Sequence, residues 1–328
     1  MEKVSVSAPA RIHMGILNPS REIGDRLYAS VGVGILQPRT IVEVQRSDGL
    51  KVRGPRLDES KKFATKVLNY FKLKGAEIDV LTTPPQHAGL GSTTQLSLSI
   101  AAGIVKAYGL DAEPVELAVI LKRGEQSATG TYVFQHGGFV VEGGWGCKTT
   151  FPPLLFHYSV PEDWRFLIVI PKNRSFDEKQ ELDVFRKLPK PKKDLVYEAC
   201  YRILLGMAPA VLEKNIESFG ANLTKLQELV GAVFSEAQDG VFEPHSAPLI
   251  RKLKEMGASG VGQSSWGPAV YALFPGKLGI NLEGLLKKKL MCEEITKDSD
   301  GNLHGSSDFL DVYFTRTDNK GALVSILK

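Results

Sequence analysis

Cysteine is scarce. Cys147, Cys200 and Cys292 are the only three in 328 residues, and no two stand at the spacing of a metal knuckle. That argues against a disulfide framework and a cysteine-ligated zinc site, and the three read as ordinary buried thiols. Long apolar runs are absent as well: no stretch approaches the roughly 18 uninterrupted apolar residues that span a bilayer, so no membrane partner is expected. The start, Met-Glu-Lys-Val-Ser-Val-Ser, lacks the apolar core of a signal peptide, and the expected location is cytoplasmic. Charge of one sign is also lacking. Lys plus Arg number 41 and Asp plus Glu 37, an excess that favours anionic ligands but gives no nucleic-acid footprint. The densest basic run, Lys187–Lys193, is broken by Pro189 and Pro191 and reads as a solvated loop.

What is present is an ordinary globular balance, 43% hydrophobic and 24% charged, in a chain too long for one core of usual size. Two domains are expected, residues 1–160 and 161–328, with the boundary near Ser159–Asp163. Alternation predicts strands at Val4–Ser7, Tyr28–Val33, Ile41–Gln45 and Ile78–Thr82, and a helix over Asp58–Lys74 with Asp58 as N-cap. Helices follow at Leu96–Tyr108 and Val115–Lys122. Arg123–Tyr132 reads as a polar, glycine-containing stretch, and Gly138–Glu142 as a strand. The second half opens with a buried strand, Trp164–Ile170. It continues with helical patterns near Lys193–Leu212, Asn215–Glu236 and Pro248–Met256, and strands at Ala269–Phe274 and, last, Phe309–Thr315.

The chemistry-bearing segment is Pro84-Pro-Gln-His-Ala-Gly-Leu-Gly-Ser-Thr-Thr-Gln. Gly89 and Gly91 let the backbone turn tightly before a helix whose first N–H groups and dipole attract an anion, with Leu90 between them and Ser92, Thr93 and Thr94 adding hydroxyls. No Gly-Lys-Ser/Thr follows, so this is not a P-loop. The segment resembles the phosphate-binding motif of the GHMP kinase superfamily. Two further segments resemble that superfamily in the expected order, Ala8-Pro-Ala-Arg-Ile-His-Met-Gly and the late glycine loop Gly257–Phe274. The resemblance implies an α+β, two-domain fold, with an N-terminal domain like ribosomal protein S5 and a ferredoxin-like C-terminal domain. It also implies a pocket shared by Gly89–Thr94 and the facing loop Gly260–Ser265.

Kinases of the superfamily carry a catalytic aspartate after the second helix. Here Thr131 or Tyr132 stands in the matching stretch, and neither is a carboxylate base. Four segments resemble instead the β-ribofuranosylaminobenzene 5′-phosphate synthase family of methanopterin biosynthesis: Arg11-Ile-His-Met, Ile23–Leu27, Arg123–Gly144 and Gly262–Ala272. Asn18 fills a position where that family tends to be acidic, with Asp25 nearby. The resemblance implies condensation of phosphoribosyl pyrophosphate with 4-hydroxybenzoate or 4-aminobenzoate, releasing pyrophosphate and carbon dioxide. The alternatives are an ATP-dependent small-molecule kinase and a non-catalytic nucleotide-binding module.

The candidate catalytic residues are Arg26, Arg11, Arg123 and His13, because arginine presents a planar fork to phosphate or carboxylate. Candidate substrate contacts are Gly89, Leu90, Gly91, Ser92, Thr93, Thr94 and His136, with Gly260, Gly262, Gln263, Ser264 and Ser265 closing the pocket opposite. His87, inside the loop, is expected to point to solvent. Mg2+ is the candidate cation, travelling with the diphosphate, and Glu125 and Glu142 are the nearest acidic residues; no metal ligand is assigned. No organic cofactor is expected. The partners expected are a phosphorylated small molecule and a second copy of the chain, as a homodimer.

Overall fold

The computed structural model describes residues 2–172, 191–276 and 282–327. Residues 187–190 of the basic run therefore lie outside the described residues. Two long strands, β1 (Lys3–Asn18) and β2 (Tyr28–Arg46), pair antiparallel along most of their length. They extend well past the segments where side chains alternate, because the second half of β1 and the first half of β2 are buried on both faces. Doubly buried strands lose the polar alternation that marks a strand in sequence.

Around this hairpin gather β3 (Lys51–Arg53), β4 (Ala76–Thr82), β5 (Phe139–Glu142) and β6 (Leu154–Tyr158). A final strand, β13 (Leu323–Leu327), returns from the far end of the chain to pair with β1. The order is β13-β1-β2-β4-β3, with β5 on β2 and β6 on β5; β3 and β4 form its parallel pair. Helices α1 (Leu57–Tyr70), α2 (Ser92–Ala107), α3 (Pro114–Leu121) and α4 (Thr129–His136) belong to this half. Val6, Val42, Val44 and Ile78 from the sheet pack on Leu96, Ile100 and Ile104 of α2. Two sequence expectations change here. Asp58 lies in the first turn of α1 and is not its cap; Arg56, in left-handed backbone at φ 58°, takes that place. The polar, glycine-containing stretch Arg123–Tyr132 runs into a helix, its last four residues forming the first half of α4.

The second sheet comprises β7 (Trp164–Pro171), β8 (Gly260–Gln263), β9 (Val270–Pro275), β10 (Glu294–Lys297), β11 (Leu303–Ser306) and β12 (Leu310–Arg316), in the order β10-β11-β12-β7-β9-β8. Its helices are α5 (Lys193–Leu212), α6 (Ile216–Gln238), α7 (Ser246–Glu255) and α8 (Leu282–Leu290). The run β7, α5–α6, β8, β9, α8, β12, with strand order β12-β7-β9-β8, is the ferredoxin-like arrangement. Phe309–Thr315 corresponds to β12, but β13 follows it.

β7 alternates in a way its apolar sequence hides. Phe166, Ile168 and Ile170 face a core shared with β1, α5 and α6, while Leu167 and Val169 face α7 and α8. α5 is long and apolar enough by composition to cross a membrane, but 44% of its most apolar window is buried inside the protein, with Val196, Ala199, Ile203 and Met207 in the core. Of the cysteines, Cys292 is buried as expected, whereas Cys147 and Cys200 are exposed.

Candidate active site

β4 delivers the chain to the early glycine loop and α2 leaves from it. Gly89 and Gly91 both sit at positive φ, 82° and 68°, and Gly91 is the N-cap of α2 without a side-chain cap, so no side chain of the cap itself satisfies the first-turn amides. The loop is pinned from two sides. Arg11 donates its backbone N–H to the Leu90 carbonyl at 3.1 Å and its Nη1 to the Gly89 carbonyl at 2.9 Å. Ser264 Oγ donates to the same Gly89 carbonyl at 2.6 Å while accepting the His13 N–H at 2.9 Å, and the Ser265 N–H bonds the His13 carbonyl at 3.1 Å. The early and late glycine loops therefore do meet, through Ser264 and Ser265.

Between them lies a cleft with about 1040 Å³ of empty space, some of it open to solvent. Its walls include Arg11, Lys122 and Arg123, the residues Gly89–Thr94, and an apolar side formed by Ile16 and Trp266. Three cations and a helix N-terminus around one space favour a polyanion. His87, expected in solvent, also lines it.

Four expectations are corrected. Gly260 and Gly262 do not line the cleft: they lie in β8, where an added Cβ would meet the Gly220 Cα at 2.7 Å and Gln227 Cγ at 2.5 Å, so they exist for close packing on α6. Gln263 lies on an adjoining, mainly apolar pocket with Phe234 and Trp266, where its amide donates to Gln238 Oε1 and the Ser265 carbonyl. His136 is away from the cleft, its ring 5.3 Å from that of His157. Arg26 is also off the cleft wall: its Nε donates to the Gly143 carbonyl and its Nη2 to that of Gly144 at 2.8 Å. Its fork is occupied by backbone.

Two groupings were not legible in the sequence, although His13 and Glu142 were each named there. Arg56 spans the hydroxyls of Ser92 and Thr93, at 3.1 and 2.7 Å, and is paired with Glu59 at 2.6 Å. Nothing in Arg-Gly-Pro-Arg, 36 residues before Ser92, signals this contact. The second group starts at His13, whose Nε2 lies 3.1 Å from Ser127 Oγ on the cleft wall. Ser127 Oγ is 2.7 Å from Ser30 Oγ and 2.7 Å from Thr129 Oγ1. Ser30 donates to Glu142, its cross-strand partner, and the other Glu142 oxygen accepts the Gly144 N–H at 2.7 Å. Glu142 is fully buried, and desolvation holds its pKa above the usual carboxylate value against the opposing hydrogen bonds from Ser30, Gly144 and Ala128. Burial first, then Arg11, holds His13 well below the usual imidazole range, so the ring is neutral at pH 7.

Glu125 is the carboxylate among the cleft residues, and no three His, Cys, Asp or Glu converge on one point among the described residues. The donor set does not form a resident metal site. Thr131 is buried, Tyr132 donates its hydroxyl to the Pro152 carbonyl at 2.6 Å, and Ser127–His136 contains no carboxylate at all.

Residues 60–138 match the family described as GHMP kinases N terminal domain, and residues 207–280 match GHMP kinases C terminal. The homoserine kinase of Cytophaga hutchinsonii has the same fold, with a TM-score of 0.65 at 19% identity over 99% of this chain and 98% of that one. The fold is thus that of the GHMP superfamily. The β-ribofuranosylphenol 5′-phosphate synthase of Methanothermobacter thermautotrophicus is 32% identical over 84% of this chain and 89% of its own length. That of Archaeoglobus fulgidus is 32% identical over 83% and 88%. The chain belongs to this synthase family of the GHMP superfamily.

Proposed function

We propose that the protein condenses phosphoribosyl pyrophosphate with 4-hydroxybenzoate or 4-aminobenzoate, with loss of pyrophosphate and carbon dioxide, in methanopterin biosynthesis; its relatives' name, β-ribofuranosylphenol 5′-phosphate synthase, supports this reading. The observation that carries this reading is the cleft itself. Arg11, Lys122, Arg123 and the N-terminus of α2 surround it, an apolar wall of Ile16 and Trp266 adjoins them, and no carboxylate stands where a superfamily kinase would need its base.

In this reading, the diphosphate and the 5′-phosphate bind the cations and the Gly89–Thr94 amides. The C1–oxygen bond breaks with its electron pair leaving on pyrophosphate, and an oxocarbenium-like centre develops. The ring carbon bearing the carboxylate attacks C1; carbon dioxide then leaves, returning its bonding pair to the ring. The protein contributes orientation and charge stabilisation, with no covalent enzyme intermediate. Mg2+, where bound, arrives on the diphosphate oxygens as part of the substrate.

A cytoplasmic homodimer completes the proposal. Tyr201, Leu204, Leu205 and Leu212 of α5 are each more than half exposed, an apolar face suited to a second copy; a single-chain mass by light scattering would remove that part. The reaction is tested by incubating the protein with phosphoribosyl pyrophosphate and each benzoate. Pyrophosphate and carbon dioxide in equal amounts are expected, and neither product from either acceptor overturns the reading.

A further inference from the structure

The network from the cleft to Glu142 crosses three strands and a turn, and the fold fixes each step. Ser30 on β2 and Glu142 on β5 sit opposite each other in the ladder. Ser127 is held by the Thr129 N–H at 3.3 Å and Thr129 Oγ1 at 2.7 Å at the start of α4, and His13 reaches it from β1. Of these groups Ser127 and His13 line the cleft, whereas Ser30 and Glu142 are wholly buried. A fully buried carboxylate on a hydroxyl chain that ends at a substrate cleft is costly to keep without a use.

We propose that Ser127, backed by Ser30 and Glu142, takes the phenolic proton of a hydroxylated aromatic acceptor and later returns it. This rests on the synthase reading and names the group that activates its nucleophile. The hydrogen-bond directions suit the role. Ser30 donates to Glu142, so its oxygen accepts from Ser127; the two lone pairs left on Ser127 face the Thr129 N–H, the Thr129 hydroxyl and the His13 Nε2–H, and the acceptor hydroxyl binds Ser127 by displacing one of these donors.

As the phenol proton passes to Ser127 Oγ, the Ser127 proton passes to Ser30 and the Ser30 proton to the Glu142 carboxylate. The resulting phenolate pushes its electrons through the ring to the carboxylate-bearing carbon, which bonds C1 of the ribose as the C1–oxygen bond breaks. The ring is then a dienone. Loss of carbon dioxide restores the phenolate, and the proton runs back along the same path, so Glu142 ends as it began. Neutral His13 orients Ser127 through Nε2, and its Nδ1 has no partner among the described residues. The other charged or titratable groups against the network are Arg11 beside His13, Arg26 from the β1–β2 connection and Tyr132 from α4.

An amine acceptor separates this role from a structural one. The nitrogen lone pair of 4-aminobenzoate pushes without prior proton loss, so its condensation has no proton to hand over before attack. Ser127→Ala should lower turnover of 4-hydroxybenzoate by about 100-fold or more, within the range of general acid–base contributions, and that of 4-aminobenzoate by less than about tenfold. Ser30→Ala and Glu142→Gln should show the same bias; if Glu142→Gln fails to fold, Ser127→Ala carries the test. Where the wild type uses only the hydroxylated acceptor, the Ser127→Ala deficit should instead shrink as pH nears the phenol's own pKa, about 10 by analogy with tyrosine. Equal losses on both acceptors, no loss, or a deficit that does not change with pH overturns the relay while the synthase reading stands. A wild type idle with both acceptors overturns the synthase reading and the relay with it.

Discussion

A guanidinium that donates to a hydroxyl leaves that hydroxyl's own proton to be donated elsewhere, and Arg56 does this to Ser92 and Thr93 together. It thereby turns two side chains at the start of α2 into phosphate donors and adds its charge to the helix N-terminus. Arg56→Gln should raise the KM for phosphoribosyl pyrophosphate about tenfold, equivalent to about 1.4 kcal/mol, and Arg56→Lys should recover only part, since lysine lacks the fork. Steady-state kinetics decide it: an unchanged KM removes Arg56 from the site. His13 gives a pH prediction. Its pKa is depressed in the folded state, so the stability from keeping the ring neutral is fully present above its unfolded value of about 6.5 and is lost as pH falls through the folded value. The melting temperature should therefore drop below pH 6.5 more steeply in the wild type than in His13→Gln; parallel curves would contradict the assignment. At this scale the sequence named Arg11, Arg123 and His13, which lie inside continuous motifs and line the cleft. It concealed Arg56 and Ser30, whose partners are remote in the chain, it named Glu142 only as an acidic residue near a possible cation and not as the partner of Ser30, and it misplaced Arg26, whose fork is taken by two carbonyls.

Elements were legible where one face meets water. The helical pattern at Lys193–Leu212 has the bounds of α5, and the early glycine loop falls between a strand and a helix as read. α4 was hidden because Gly130 and flanking polar residues resemble a loop, yet Thr129, Thr131 and Gln95, which bonds the Gly130 carbonyl at 2.8 Å, are buried there. The late glycines were misread for a related reason. A glycine that admits a ligand and one that admits a neighbouring helix look alike in sequence. The two kinds separate on substitution. Gly260→Val forces β8 off α6, where Gly220 lies 2.7 Å from the new Cβ, and should cost about 2–3 kcal/mol in denaturant unfolding with KM unchanged in the folded fraction. Gly91→Val combines strain at φ 68° with displacement of Arg11, 2.9 Å from the new Cβ, and should abolish phosphoribosyl pyrophosphate binding as well as lower stability. If Gly260→Val raises KM while leaving stability intact, its role is in binding after all.

At the scale of the whole molecule, the chain does not simply build one half and then the other. After β12 it crosses back: Asp318 donates its N–H to the Gly34 carbonyl at 3.0 Å and accepts the Gly138 N–H at 2.6 Å, and β13 then closes the edge of β1. No sequence pattern announces this return, because Leu323–Leu327 is an exposed edge strand whose partner lies more than 300 residues away. The crossing is fastened by one buried ion pair, Arg39 to Asp318 at 2.5 Å, with side chains 10% and 4% exposed. Arg39 also spans Ser7, while Asp318 Oδ1 accepts the N–H groups of Lys320 and Gly321. Removing one partner strands a charge in low dielectric, so Asp318→Ala should destabilise the protein by about 3–5 kcal/mol, whereas replacing Arg39 and Asp318 together by Met and Leu should cost less. Because the pair binds the chain's end to its first sheet, and β1, α5 and α6 already share a core with the second sheet, calorimetry of Asp318→Ala should show one transition shifted downward as a unit. Two separated transitions, with only the first sheet melting early, would mean that the crossing fastens β13 alone and that the shared core holds the halves together without it.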